Sequence, residues 1–331
     1  MMKRSLIVWA AACAVAIAVA HRARAEDEKT SIALPALTIT FTPTYVAQDT
    51  GIWKKEGLDV TIHDIVGLGS TNAMLAGSVD FAVQSGPTLI RGNARGQKMM
   101  GVSLMAAGVA FELTMRKESA GGMTMATPVA ERVKSLKGKK IAVDSPNSVV
   151  EGFLRYVAAK GGVGGRDIIL SFMQPPEMLA GERSGAIDGG VHTFPWTKTS
   201  QRQGDILFAS GITDVPELLP TVGTSTTTRP DFCDKKPSVC EKLVHGYVLA
   251  HAFIHDHPKE SLDVLKKRMP NIDQSDLEGS FTEMVKTTPR VPSFSDAAFL
   301  SAQKLMIVGG MMKEDEKMSD FSAMYTNKYV K

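Results

Sequence analysis

Two stretches of this chain repeat one local plan, and that repetition restricts the available folds more than any other feature. The first reads Gly77-Ser78-Val79-Asp80-Phe81-Ala82-Val83-Gln84 and the second Gly185-Ala186-Ile187-Asp188-Gly189-Gly190-Val191-His192. Upstream of them, Thr42-Pro43-Thr44-Tyr45-Val46 parallels Ser145-Pro146-Asn147-Ser148-Val149. The spacings are 103 residues (145 − 42) and 108 residues (188 − 80). Two matches in the same order at nearly one offset describe two lobes built alike.

Each half reads as strands alternating with helices. Leu37 to Phe41 alternates as a strand, Thr42-Pro43-Thr44 breaks it, and Thr44 caps a short helix that stops at Gly51. Asp59 to Ile65 gives a second strand. Ser70 caps a helix closed by Gly77, Val79 to Val83 is a buried strand, and Pro87 suits the first turn of a helix capped by Ser85 or Gly86. In the second half, Ile141 to Val143 is a strand, Ser145 to Ser148 turns into a helix ending near Gly161, and Ile168 to Phe172 is a strand before a helix near Glu177. This alternation implies βαβ crossovers and a mostly parallel sheet, hence an α/β fold. Phe111 to Met115 and Thr221 to Thr227 have strand character and read as two strands crossing between lobes, a natural hinge. Beyond about Cys233 the chain is helical, with Val239, Leu243, Tyr247, Ala250 and Ile254 at helical spacing, and this third is expected to pack on the first lobe. Lobe one is therefore set at residues 33–112 with 228–331, and lobe two at 118–220.

The first 25 residues have the pattern of a secretory signal peptide: a positive start (MMKR), the apolar run SLIVWAAACAVAIAVA, and Ala23-Arg24-Ala25 before Glu26. An uncleaved anchor is the alternative, but the run is short for a bilayer span of about 20 residues. Cys13 lies mid-run with Ala10 three residues before it, which disfavours lipidation. Removing this segment removes Lys3, Arg4, Arg22 and Arg24, leaving 34 basic (38 − 4) against 35 acidic residues, a net charge of −1. Such a balance gives no surplus of cations to release counterions from nucleic acid. Cys233 and Cys240 remain; in an exported chain they either close a small loop or leave Cys240 buried on a helix.

The runs TPTYVAQDTGIWKKEGLDV, GSTNAMLAGSVDFAV and LKGKKIAVDSPNSVVEGFLRY resemble the SsuA/THI5-like (NMT1-like) group of solute-binding proteins. The strongest parts are Gly51 to Val60 and Ala76 to Ala82. The resemblance implies a two-lobed periplasmic binding protein of the type II fold, similar to the nitrate, taurine and sulfonate receptors of ABC importers. Its partners would be a small-molecule ligand and the permease and ATPase subunits, with no cofactor, no metal, no nucleic acid and a monomeric state.

In parallel α/β sheets the strand ends and the following helix starts face one crevice. That logic places Ser70 and Thr71 (a helix start) and Gln84 and Ser85 (a strand end) on the same rim. It adds Thr42, Thr44 and Tyr45 from the first turn of lobe one, and Ser145, Asn147, Ser148, His192 and Trp196 from lobe two. Thr44, Ser70 and Ser148 also read as plain helix caps, and Tyr45, His192 and Trp196 as packed core. Arg91 is read as solvated, and Asp144 as an acid near the rim, so a multiply charged anion is disfavoured. A sulfonate, a carboxylate or a nitrogen heterocycle fits. Two other classes compete. The pyrimidine-synthesis branch of the resembled group is an enzyme, but it carries a lysine and a histidine in the segment matching Ser70 to Ala94, where this chain has neither. A receptor feeding a sensor kinase would share the cleft. His251, His255 and His257 have zinc-like spacing but also suit a helix end.

Overall fold

The computed structural model describes residues 26–331; the expected signal peptide, residues 1–25, lies outside the described residues. The first lobe begins with β1 (Glu28–Leu34), followed by a 3-10 turn at Ile39–Phe41, α1 (Thr42–Asp49) and α2 (Ile52–Lys55). Then come β2 (Leu58–Asp64), α3 (Leu68–Leu75), β3 (Phe81–Ser85), α4 (Gly86–Ala94) and β4 (Met100–Ala106). The second lobe holds β5 (Phe111–Met115), α5 (Val129–Lys134), β6 (Lys140–Val143), α6 (Val149–Lys160), β7 (Ile169–Phe172) and α7 (Pro175–Ser184), then β8 (Gly189–Thr193), α8 (Trp196–Arg202) and β9 (Ile206–Ser210). The chain returns through β10 (Thr224–Thr228) to α9 (Phe232–Lys235), α10 (Pro237–Asp256), α11 (Pro258–Arg268), α12 (Gln274–Thr287) and α13 (Asp296–Val308).

Two five-stranded sheets result, ordered β2-β1-β3-β10-β4 and β7-β6-β8-β5-β9. They share one plan. Three parallel strands are joined by helical crossovers, and the fourth position is taken by an antiparallel strand. In each sheet that antiparallel strand is the first one after the chain has crossed from the other lobe. The crossings themselves are residues 107–110 and 211–223, so Phe111–Met115 and Thr224–Thr228 are each the entry strand of one sheet.

The expected first strand, Leu37 to Phe41, is corrected. β1 is the earlier run EKTSIAL, and Ile39–Phe41 is a 3-10 turn whose three residues are buried. Pro35 ends the strand, because proline cannot donate to the ladder. With the true strand the repeat becomes more regular. Leu34 and Val143 end equivalent strands 109 residues apart (143 − 34), and Phe81 and Gly189 begin equivalent strands 108 apart (189 − 81).

The C-terminal helices touch both lobes rather than the first alone. α10 and α11 lie on α1, whereas α12 meets α8, and α13 sits between α4 and α6. On α10, Val239, Leu243, Tyr247, Ala250 and Ile254 are all buried. Tyr247 meets the Trp53 ring edge-on at 5.2 Å. β10, with the sequence TSTTT, is buried throughout, and three of its hydroxyls find acceptors at the Tyr247 hydroxyl, Ala82 O and Asp80 O. Cys233 and Cys240 form a disulfide that ties α9 to α10. Among the described residues, no helix is long and apolar enough to cross a membrane.

The histidines of α10 have protein partners. His251 Nδ1 lies 2.5 Å from Pro289 O and His255 Nε2 lies 2.9 Å from Thr288 O. No group of three metal-binding side chains occurs among the described residues. Burial pulls the His251 imidazole down to about 4 from 6.5, so it is neutral in the folded protein. A histidine depressed in this way stabilises the fold above its unfolded pKa, and that stability drains away as pH falls towards the folded value. Lowering the pH from 7.5 to 5 is therefore expected to cost about 2 kcal/mol more in the wild type than in His251→Gln, as read by urea unfolding at both pH values.

Candidate functional site

Between the two sheets lies a cleft of about 610 Å³. Its walls are the C-terminal ends of the parallel strands and the first turns of the helices that follow them, the arrangement that open α/β sheets use for ligands. Lobe one supplies the loop after β1 (residues 35–41 without Ile39), the start of α3, the end of β3 and the start of α4. Lobe two supplies the turn after β6, Gln174 and Pro175, the end of β8, and Trp196. Both crossings line it, at residues 108–110 and 221–223, together with Phe111 and Thr224 at the starts of β5 and β10.

Nine of the residues singled out from the sequence line this cleft: Ser70, Thr71, Gln84, Ser85, Ser145, Asn147, Ser148, His192 and Trp196. The other three, Thr42, Thr44 and Tyr45, do not, and this is a correction. Because β1 ends at Leu34, its loop is residues 35–41 and α1 lies beyond it. Thr42 Oγ1 donates to Ile39 O at 2.5 Å. Thr44 Oγ1 pairs with the buried Tyr247 hydroxyl at 3.0 Å. Tyr45 is buried in the core, with the Arg268 guanidinium 4.5 Å above its ring.

The rim is held by local hydrogen bonds that follow from short polar residues at helix starts. Ser85 caps α4 by accepting from Thr88 N at 3.2 Å. Ser148 caps α6 by accepting from Glu151 N at 3.1 Å and donates its own proton to Asp144 Oδ1. Ser70 is not a cap: Gly67, at φ 61°, opens α3, and Ser70 Oγ donates back to Gly67 O at 2.9 Å. Gly67 adopts this left-handed backbone at no steric cost. Gln84 accepts from Thr71 Oγ1 at 2.8 Å, while its amide nitrogen meets only the Met99 sulfur, at 3.5 Å.

Two charged side chains line the cleft, Arg91 and Asp144. Arg91, read from the sequence as solvated, is half-buried and lines the cleft. It lies one turn beyond Thr88 on α4, and Nη1 donates across the cleft to Asn147 O at 3.2 Å. Burial pulls its guanidinium below the ordinary value. Asp144 is pushed above the usual carboxylate range by burial, against the hydrogen bonds from Ser148 and Ser145 N. His192 is fully buried, and neither ring nitrogen has a hydrogen-bond partner. Sequence reasoning missed Thr38, Thr40, Thr88, Arg91, Thr193 and Thr224 as lining residues.

Two like-built α/β lobes, two crossings and a cleft between them, apolar over most of its wall with hydroxyls and amides at the helix starts, define a periplasmic-binding-protein fold of type II. The chain belongs to the NMT1/THI5-like family, whose model matches residues 38–261. A protein of Brucella abortus designated a candidate binding protein is 25% identical over 238 residues, covering 71% of this chain and 69% of its own. The alkanesulfonate-binding protein SsuA of Xanthomonas axonopodis, bound to MOPS, has the same fold: TM-score 0.68 and 18% identity over 88% of this chain and 96% of its own. The periplasmic aliphatic sulphonate binding protein SsuA of Escherichia coli gives a TM-score of 0.68 and 18% identity over 85% and 91% of the two chains. The fold also serves an enzyme, the desulfurization enzyme DSZB, at a TM-score of 0.62 and 14% identity over 87% and 94%.

Proposed function

We propose that this protein is the periplasmic receptor of an ABC importer and that it captures a singly charged organic anion, a sulfonate or a carboxylate, by closing its lobes. The observation that carries this reading is the composition of the cleft. The first turns of α3, α4 and α6 line it from both lobes, and the positive ends of helix dipoles favour a negative group. Hydroxyls and amides surround those turns, and Arg91 and Asp144 offset one another. One negative charge suits such a site, and several do not. Lobe one (28–106 with β10 and part of the C-terminal third) and lobe two (111–210) would move about residues 107–110 and 211–223. Contacts made to both lobes at once favour the closed form.

The enzyme reading has less support. Among the described residues, one histidine and no lysine or cysteine lines the cleft. Export through residues 1–25 and delivery to a permease belong to the same proposal.

The test is a thermal-shift screen of residues 26–331 against sulfonates, aromatic and aliphatic carboxylates, nitrate, pyrimidines and amines. A ligand that binds only the folded state raises the melting temperature, by about 2.7 kcal/mol of stability at a hundred times its Kd. A shift confined to sulfonates or carboxylates supports the reading; a shift only with amines or pyrimidines overturns it.

Trp196 provides a second readout. Residues 26–331 contain two tryptophans, of which Trp53 is buried in the core and Trp196 is half-buried at the cleft. Saturating ligand is expected to change the emission of the wild type by about a tenth or more and to leave Trp196→Phe nearly silent. Burial of an aromatic face against a ligand is the physical cause.

A further inference from the structure

His192 stands out because its ring has no hydrogen-bonding task in holding the cleft wall together. His192 is the second-last residue of β8, and its side chain is completely buried while still lining the cleft. Its ring folds back over Gly190, where an added Cβ would lie 2.8 Å from Nε2. Nε2 sits 3.9 Å from Glu182 Oε1, within ion-pair range but too far for a hydrogen bond. Neither ring nitrogen has a partner, which is costly for a buried polar group and points to a partner still to come.

Behind the ring, α7 presents Glu182, whose carboxylate accepts from Thr114 Oγ1 at 2.9 Å and Ser200 Oγ at 3.2 Å. Glu112 lies directly opposite His192 across the β5–β8 pair and accepts from Ser210 Oγ at 3.3 Å. Asp205, before β9, shares Ser200 Oγ at 2.8 Å. Burial pushes Glu112 and Asp205 above the ordinary carboxylate range. Lys198 on α8 lies near Glu112, and Arg116 near Asp205. On the cleft side stand Asp144 and Arg91. Acidic groups thus outnumber basic ones around the ring, and a bound anion would add one more negative charge.

We propose, building on the anion-receptor reading above, that ligand binding is coupled to uptake of one proton at His192. The imidazolium is then held between the Glu182 carboxylate and the bound anion. The proton comes from solvent, no covalent bond changes, and the site takes the anion together with its neutralising charge. A small shift of Glu182 or of the ring closes the 3.9 Å gap. By linkage, the anion binds more tightly as pH falls, by up to about tenfold per pH unit where uptake is complete.

The experiment is isothermal titration of residues 26–331 at pH 7.5 with butanesulfonate, benzoate and nitrate, each in phosphate and in Tris buffer. All three probes stay ionised at that pH, so any proton taken up belongs to the protein. The two buffers release different heats when they give up a proton, so a difference in binding heat counts protons. The expected result is uptake on the order of half a proton or more in the wild type and close to none in His192→Gln. Glu182→Gln keeps an acceptor for Thr114 and turns its amide NH2 to the Ser200 hydroxyl, whose proton still has Asp205; it is expected to reduce uptake and serves if His192→Gln does not fold. If a probe binds with the same heat in both buffers, the proton coupling is overturned while the receptor reading stands. Uptake that survives in His192→Gln but disappears in Asp144→Asn assigns the proton to Asp144 and also overturns it. If none of the three binds, the anion-receptor reading fails and this inference fails with it.

Discussion

Gln84→Ala is expected to weaken binding of the cleft ligand roughly ten- to a hundredfold while leaving the protein folded. Gln84 is the second-last residue of β3 and is buried at the cleft wall. Its amide oxygen is engaged by Thr71 Oγ1, but its nitrogen carries two protons and finds only the Met99 sulfur, a weak acceptor. A donor is therefore left for the ligand, in a position where losing it cannot be repaired by solvent once the lobes close. The cost to the fold is smaller: Thr71 loses its acceptor, worth about 1 kcal/mol. Gln84→Glu separates charge from shape. It keeps the acceptor for Thr71 but replaces the donor with a carboxylate, so an anionic ligand is expected to bind it more weakly than the alanine variant. Titration calorimetry reads the affinities and urea unfolding reads the folds. Unchanged affinity in both variants would remove Gln84 from the site, and tighter binding by Gln84→Glu would mean a cationic ligand.

The parts of this site that were legible in the sequence are those set by local chemistry. Ser85 and Ser148 read as helix starts and do cap α4 and α6, because a short hydroxyl before a helix satisfies a free N–H wherever the lobe packs. β1 was not legible. It runs between β2 and β3, so Ile32, Ala33 and Leu34 are all buried and give a continuous apolar run instead of an alternation. The alternating LTITF run drew the strand to itself, although its Ile39 and Phe41 enter the core from a 3-10 turn. That one slip carried Thr42, Thr44 and Tyr45 into the predicted site. Arg91 was within reach of helical periodicity. It lies four residues after Pro87 and three after Thr88, and all three line the cleft. Thr224 was out of reach, since only the pairing of β10 with β3, which sets it opposite Ser85, brings it there.

Gly223→Ala is expected to lower the folding stability by about 3–4 kcal/mol and to impair closure together with it. A glycine in a connecting segment is ordinarily a good place for alanine, which gains about 0.4–1 kcal/mol by restricting the unfolded chain. Gly223 has no left-handed backbone that would strain an alanine, so the outcome rests on space alone. Space is lacking. A Cβ there would lie 2.3 Å from Gly108 O and 2.9 Å from Ala106 O, both backbone atoms that cannot rotate away. The same residue is hydrogen-bonded into the hinge from both sides. Its N–H donates to Ala106 O at 3.0 Å, and its carbonyl accepts from Gly86 N, at the start of α4, at 3.3 Å. The two crossings therefore run backbone to backbone, and a single methyl must push them apart. Because the start of α4 lines the cleft, that displacement would also move Ser85 and Thr88 relative to lobe two. The measurements are thermal unfolding of Gly223→Ala and small-angle scattering with and without ligand. An unchanged melting temperature with a normal ligand-induced compaction would show that the crossings repack freely. The pivot would then have to be sought elsewhere, for example where α13 meets α6, since a Cβ at Gly309 would lie 2.6 Å from Gly152 O.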